Sequence, residues 1–220
     1  MFYNHFNPTP YEGHWLTFRK IPKSCKVLDI GCATGYFAKE LKEKRACKVW
    51  GIDIDVEALL IAKKYCEKVY RMDLTKAASL PVRKNFFDVI LLLDVVEHLP
   101  YPSKFLLLLH RYLKSNGVII VSIPNIAFLS IRLMLLCGKF TYRDTGIMDQ
   151  THLRFYTKKT FLKLFWEAKW NLRELDVASG FSQITAIGKY LNYTPKNIQY
   201  HITKAFPTLL GYQFIGLFSQ

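Results

Sequence analysis

Four carboxylates and a glycine-bearing turn carry the first chemical signal in this chain. Gly31-Cys32-Ala33-Thr34-Gly35 follows the short apolar run Lys26–Ile30, which contains Asp29. A glycine-rich turn from a strand into a helix lets a ligand approach the backbone and meet the N–H groups of the helix start. Asp53 stands 24 residues beyond Asp29, Asp73 a further 20 and Asp94 a further 21. A carboxylate after the second strand of such a unit can accept both hydroxyls of a ribose. Three nucleotide-type ligands compete for this pattern. A dinucleotide fingerprint needs glycines at positions 31, 33 and 36, where the chain has Gly31, Ala33 and Tyr36. A phosphate loop needs Gly-Lys-Ser/Thr, which is absent here. A nucleoside without a pyrophosphate has neither requirement.

Residues able to handle a proton or an anion come next. His98 lies four positions after Asp94, at the mouth of the same strand. It is either a base with a pKa near neutrality or a histidine bonded to a backbone carbonyl. His152 and Arg154 stand two apart after a polar loop; on an extended segment they share a face and could grip an anionic or hydroxylated acceptor. The alternative for Arg154 is an ion pair with a carboxylate such as Asp149. Glu97 either caps the next segment or takes part in chemistry. Asp144 and Asp149 lack metal-ligand spacing, and no two cysteines are spaced as in a zinc site, so no metal is expected.

These groups need a scaffold that gathers strand ends. Lys26–Gly31, Lys48–Asp53, Lys68–Asp73, Phe87–Asp94 and Gly117–Ile123 read as buried strands. Tyr36–Arg45, Val56–Tyr65 and Ser103–Lys114 read as surface helices between them. Such connections force parallel pairing and right-handed crossovers, the doubly wound α/β class. Beyond Asn125 the spacing predicts a helix over Ile126–Cys137, a polar loop, an extended His152–Tyr156, a helix over Thr157–Lys169 and strands at Leu172–Ala178 and Tyr212–Ser219. Phe181–Phe206 has poor periodicity. One domain over residues 1–220 is expected, with residues 1–25 as an N-terminal cover that includes Tyr11 and Trp15. Residues 126–160 and 181–206 are expected to roof an acceptor site.

The 220 residues, half of them apolar, suit one α/β core and exclude a disordered chain. The N-terminus lacks the apolar centre of a signal peptide and no run reaches membrane-span length, so a cytoplasmic protein is expected. The net charge is +14 and unevenly placed. Residues 51–100 hold 7 Lys/Arg against 8 Asp/Glu, whereas residues 101–220 hold 15 against 5. The basic excess therefore lies outside the acid-rich strand ends. It is either a lysine-rich surface or a sign of an anionic acceptor, or of the anionic membrane surface that holds it. Ile126, Leu129, Leu133 and Leu136 form an apolar stripe accompanied by Arg132, Lys139 and Arg143. That is a core helix or a peripheral membrane helix at the inner surface. A nucleic-acid acceptor has only the charge in its favour, since no Asn/Asp-Pro-Pro-Tyr motif or RNA-binding module is present.

The segments VLDIGCATGYFAKEL, VWGIDID, VYRMDL, FDVILLLDVVEHL, LKSNGVIIVSIPN and GYQFIGLF resemble those of class I S-adenosylmethionine-dependent methyltransferases. The chain is most similar to ubiquinone-biosynthesis O-methyltransferases and, through GIMDQTHLRFYTKKTF, to methyltransferases of bacterial cell-surface polysaccharide clusters. The resemblance implies a Rossmann-like seven-stranded sheet with an antiparallel last strand. It also implies S-adenosyl-L-methionine as cofactor, S-adenosyl-L-homocysteine as product and a small-molecule, lipid-linked or sugar-linked acceptor methylated on oxygen. Gly31 and Gly35 would bracket the methionine moiety with Asp29 supporting the turn. Asp53 would hold the ribose, Asp73 the adenine amino group and Asp94 the region of the sulfonium, with Cys32, Ala33, Ile54 and Leu74 completing the cofactor set. His98, His152 and Arg154 would serve the acceptor. Ala33 departs from the family, where glycine is commoner. An RNA methyltransferase and a non-catalytic scaffold are the competing readings.

Overall fold

The computed structural model describes residues 5–184 and 193–220. Seven strands form one sheet: β1 (Lys26–Ile30), β2 (Lys48–Asp53), β3 (Lys68–Arg71), β4 (Phe87–Leu93), β5 (Leu113–Pro124), β6 (Asn171–Ser179) and β7 (Gly211–Ser219). Their spatial order is β3-β2-β1-β4-β5-β7-β6. The first five run parallel, and β7 lies antiparallel between β5 and β6. The chain winds outward to β3 and then crosses back to β4 on the other side of β1. The C-terminal ends of β1 and β4 therefore border the crevice where such sheets bind ligands.

Side chains alternate across the sheet, and both faces are buried. Leu28, Ile90, Leu92 and Val121 pack on one face with α4 (Pro102–Leu109) and α6 (Lys158–Glu167). Val27, Val89, Leu91 and Ile120 pack on the other with α1 (Gly13–Lys20), α2 (Tyr36–Arg45) and α3 (Val56–Ala62). Burial on both faces explains the near-continuous apolar run of β4.

Tertiary pairing moves several boundaries. The helix expected over Ser103–Lys114 ends at Leu109, because Leu113 pairs with Phe87 and β5 starts four residues early, across a bulge. Tyr112 is buried beside it, its hydroxyl accepting the Leu80 N–H at 2.6 Å. A helix the periodicity did not reveal, α7 (Lys196–Ala205), packs against β6. It buries Gln199, Tyr200 and Thr203, while Ile198 stays 46% exposed, so its inner face is polar. Tyr200 donates to Asp176 Oδ1 at 2.5 Å, and Lys20 of α1 pairs with Asp176 Oδ2 at 3.1 Å. The turn α8 (Pro207–Leu210) leads into β7.

The predicted helix after Asn125 is α5 (Leu129–Leu136), and its predicted stripe is split: Ile126 and Leu129 pack half-buried against the Phe128 and Ile131 cluster, and the rest does not face inward. Phe128 and Ile131 are buried, whereas Leu133 is 50% and Leu136 83% exposed. Among the described residues, no helix is long and apolar enough to cross a membrane.

Candidate functional site

A cavity of about 870 Å³ opens at the C-terminal ends of β1, β2 and β4. Gly31 leaves β1 with φ of +77°, and a Cβ there would meet Val95 Cγ2 at 2.6 Å, so the turn requires glycine. Ala33, Asp53, Ile54, Asp73, Leu74 and Asp94 line the cavity wall beyond it. The Asp53 carboxylate accepts the N–H of Ala33 at 2.7 Å and of Asp55 at 2.9 Å, which fixes its plane and leaves a lone pair on each oxygen. Asp73 Oδ1 accepts both the N–H and the hydroxyl of Thr75, and these bonds hold its carboxyl below the usual range. Asp94 sits at a φ of +54°, a conformation uncommon for a residue with a side chain. Its Oδ1 accepts Gln213 Nε2 at 2.6 Å and Ser122 Oγ at 3.0 Å, which hold it there.

The other end of the cavity is lined by Glu97, His98, Asp149, Thr151 and His152. Two chain segments are stapled together here, since the Glu97 carbonyl accepts the N–H groups of Leu153 at 3.0 Å and Arg154 at 3.1 Å. His98 Nδ1 lies 3.1 Å from the Thr151 carbonyl, and His152 Nδ1 lies 3.1 Å from the Ile147 carbonyl. A carbonyl can only accept, so each Nδ1 carries hydrogen and each neutral ring keeps an unprotonated Nε2. The two rings stand 4.8 Å apart. Burial and then neighbouring His98 lower the His152 pKa. Burial, reinforced by Asp94, pushes the Glu97 carboxyl well above its ordinary value.

A family model for the methyltransferase domain matches residues 3–175. The chain belongs to that family. Its cofactor is S-adenosylmethionine. The acids of the cavity wall fit that ligand, because two ribose hydroxyls, an adenine amino group and a sulfonium all favour carboxylate partners. The ubiquinone biosynthesis O-methyltransferase of Psychrobacter arcticus is 26% identical over 187 residues, covering 81% of this chain and 66% of that protein. The Pseudomonas aeruginosa protein of the same name is 28% identical over 120 residues, covering 53% and 51%. The chain thus spans about half to two thirds of the length of these relatives. Among solved structures, a methyltransferase from Archaeoglobus fulgidus shares the fold at a TM-score of 0.62 and 19% identity, covering 94% of this chain and 90% of that one. The [4+2]-cyclase SpnF shares it at 0.61 and 15%, covering 93% and 79%. That a cyclase uses the same fold means the chemistry must be argued from the site.

The methyltransferase domain does not bring every expected residue to the cavity. Asp29, Cys32, Gly35 and Arg154 lie off its lining. Asp29 is 3% exposed beneath the turn with Oδ2 unpartnered, and burial together with Asp53 lifts its pKa to about 7. Cys32 turns into the core, where its sulfur fills the space beside Gly51. Gly35 caps α2 at φ +73°, and its missing Cβ admits Ala62 Cα at 3.0 Å, so it serves helix packing. Arg154 is a correction: it does not share a face with His152 and does not pair with Asp149. The chain turns at His152, whose N–H bonds the Asp149 carbonyl, and Arg154 points into a separate cleft where it donates to the Pro100 carbonyl at 2.6 Å.

Other lining residues escaped the sequence reading. Asn7, Glu12, Gly13 and His14 of the N-terminal segment reach the cavity, while Tyr11 and Trp15 pack on each other and on the core. Tyr11 also stacks on Tyr200 at 4.7 Å. Arg143, Thr145 and Gly146 enter from the loop after α5. Within 181–206, Gln183 lines the cavity, and the part of the expected roof at 185–192 lies outside the described residues. Glu97, which the sequence left between a capping and a chemical role, is buried at the cavity wall.

Proposed function

We propose that this chain transfers the methyl group of S-adenosylmethionine to a hydroxyl oxygen of a small-molecule or lipid-linked acceptor. The observation that carries the reading is a single cavity with carboxylates suited to the cofactor at one end and Glu97, His98 and His152 at the other. The O-methyltransferase names of the relatives support oxygen as the acceptor atom. Bound cofactor supplies an electrophilic methyl carbon on a positive sulfur. Asp53 and Asp73 would hold the nucleoside, and Asp94, fixed by Gln213 and Ser122, would offer its carboxylate to the sulfonium. His98 uses its bare Nε2 to take the acceptor's hydroxyl proton as the oxygen lone pair attacks the methyl carbon. The sulfur keeps the electron pair of the breaking S–C bond. Alignment within the cavity supplies most of the acceleration. Methyl-labelled cofactor incubated with hydroxylated and with amine-bearing acceptors tests this directly. Label on oxygen is expected, and label only on nitrogen or on RNA overturns the reading.

The acceptor on this reading is anionic or held at an anionic membrane surface. Leu133, Leu136, Phe140 and Tyr142 are exposed on α5 and the following loop, beside Arg132, Lys139 and Arg143. Apolar side chains rimmed by cations suit a lipid headgroup boundary. Arg143 lines the cavity from the same loop, which joins the patch to the acceptor end.

A further inference from the structure

We propose that the second cleft, between the start of α4 and the segment Leu153–Tyr156, binds a phosphate group. It holds about 550 Å³ and shares no lining residue with the cofactor cavity. The two adjoin along both chain segments that divide them. Leu99 lines the cavity and Pro100 the cleft, and His152 lines the cavity and Leu153 the cleft.

Hydrogen-bond donors gather here without acceptors to match. Helix α4 begins at Pro102 behind Tyr101, whose side chain caps no N–H group. The Phe105 N–H bonds the Tyr101 carbonyl at 3.2 Å, while no acceptor among the described residues takes the N–H groups of Ser103 and Lys104. Such a helix start attracts an anion through those N–H groups and the helix dipole. Arg154 adds a guanidinium whose one side-chain bond among the described residues runs from Nη2 to the Pro100 carbonyl at 2.6 Å. The Lys104 ammonium stands 5.2 Å from the centre of the Tyr101 ring.

Tyr156 points to a ligand independently. It lines the cleft, is 7% exposed, and its hydroxyl has no hydrogen-bond partner. A buried hydroxyl left unpaired destabilises the fold, and an anion is an acceptor that would satisfy it. Burial lifts its pKa to about 12, opposed first by the charge of Arg154, so at neutral pH the phenol is an O–H donor in the field of that guanidinium. The hydroxyl is closed to solvent while Arg154 rests on Pro100. An arriving anion draws the guanidinium off that neutral carbonyl, because a charge-assisted bond is roughly twice as strong, and so gains the phenol as well. Two backbone N–H groups, an arginine fork, a phenol and an ammonium exceed the roughly four lone-pair sites of a carboxylate and suit a tetrahedral oxyanion. The wall carries one carboxylate, Glu167, which pairs with Lys163 at 3.6 Å.

The role of the site rests on the methyl-transfer reading and narrows it to hydroxylated phosphate esters, soluble or lipid-borne. The hydroxyl would lie at His98 and the phosphate in the adjoining cleft.

Calorimetry would titrate pyrophosphate, and succinate as a carboxylate control, into the wild type, Arg154→Ala and Tyr156→Phe. S-adenosylhomocysteine binding and thermal melting would be followed in the same preparations. One pyrophosphate should bind the wild type, and roughly 10–100-fold more weakly in each variant, the scale of a lost bond to a charged group, with cofactor affinity retained. Tyr156→Phe removes an unpaired hydroxyl, so it should melt no lower than the wild type and decides the matter even if Arg154→Ala is unstable. Sedimentation with phosphatidylcholine vesicles, with and without phosphatidic acid, separates the two sources. A gain with phosphatidic acid that Tyr156→Phe abolishes assigns a lipid-borne phosphate, and pyrophosphate binding without that gain assigns a soluble ester. Protein that binds S-adenosylhomocysteine but not pyrophosphate would overturn the site and leave the methyl-transfer reading intact. So would succinate binding as tightly, or a Tyr156→Phe variant that binds pyrophosphate like the wild type. Failure of the wild type to bind S-adenosylhomocysteine would overturn the methyl-transfer reading instead.

Discussion

His98 and Asp29 make opposite use of their surroundings. The ring of His98 lies at the cavity with Nδ1 anchored, so its replacement removes chemistry and little structure. His98→Ala should lower turnover by roughly 10²–10⁴ while S-adenosylhomocysteine binds almost as before. Steady-state rates together with calorimetry check this, and a full-speed variant would leave alignment as the sole contribution. Asp29 makes its mark on stability. Its folded pKa of about 7 lies above the value of about 3.9 expected for an unfolded chain. Between those pH values the folded state binds more protons than the unfolded state, so this residue's contribution to stability falls as pH rises from about 4 to about 7. Asp29→Asn removes the titration. Its melting temperature should gain on the wild type across that range and hold a constant difference above it, and a pH-independent difference would contradict the assignment.

At the scale of elements, apolar periodicity identified those that bury apolar faces and failed where tertiary contacts decide. The strands that carry Asp53 and Asp94 were legible because they are buried on both sides. Helix α7 was not, because its inner face is Gln199, Tyr200 and Thr203 and it is held by hydrogen bonds. Tyr200→Phe removes the bond to Asp176 and should cost about 1–3 kcal/mol by denaturant titration. An unchanged midpoint would mean that stacking on Tyr11 suffices. Helix α5 was found, but of the stripe left open between core and membrane surface Ile126 and Leu129 pack inward while Leu133 and Leu136 are exposed. Liposomes containing anionic lipid should sediment the protein at low salt, less so at high salt, and Leu136→Asp with Phe140→Asp should weaken this. Equal behaviour with neutral liposomes, or no binding at any salt, would remove the membrane reading.

Across the whole molecule, the strand-end acids that line the cavity were legible in the sequence, whereas Asp29, Cys32 and Gly35 lie off its lining and the loop residues were only partly legible. The carboxyl ends of parallel strands have fixed positions in this topology, so acids there fall on one wall. Loop residues have no such rule. His152 and Arg154 were read as sharing a face, but a turn at His152 sends them to different clefts, and Glu97 gained its importance only through burial. The central claim is that the acids at the strand ends form an S-adenosylmethionine site. Calorimetry of S-adenosylhomocysteine against the wild type and Asp53→Ala tests it most directly. Saturable binding is expected, weakened in the variant by about 1–3 kcal/mol, the scale for leaving polar groups unpaired. Binding of NADH with no response to S-adenosylhomocysteine would contradict the account, as would an Asp53→Ala variant that binds S-adenosylhomocysteine as tightly as the wild type.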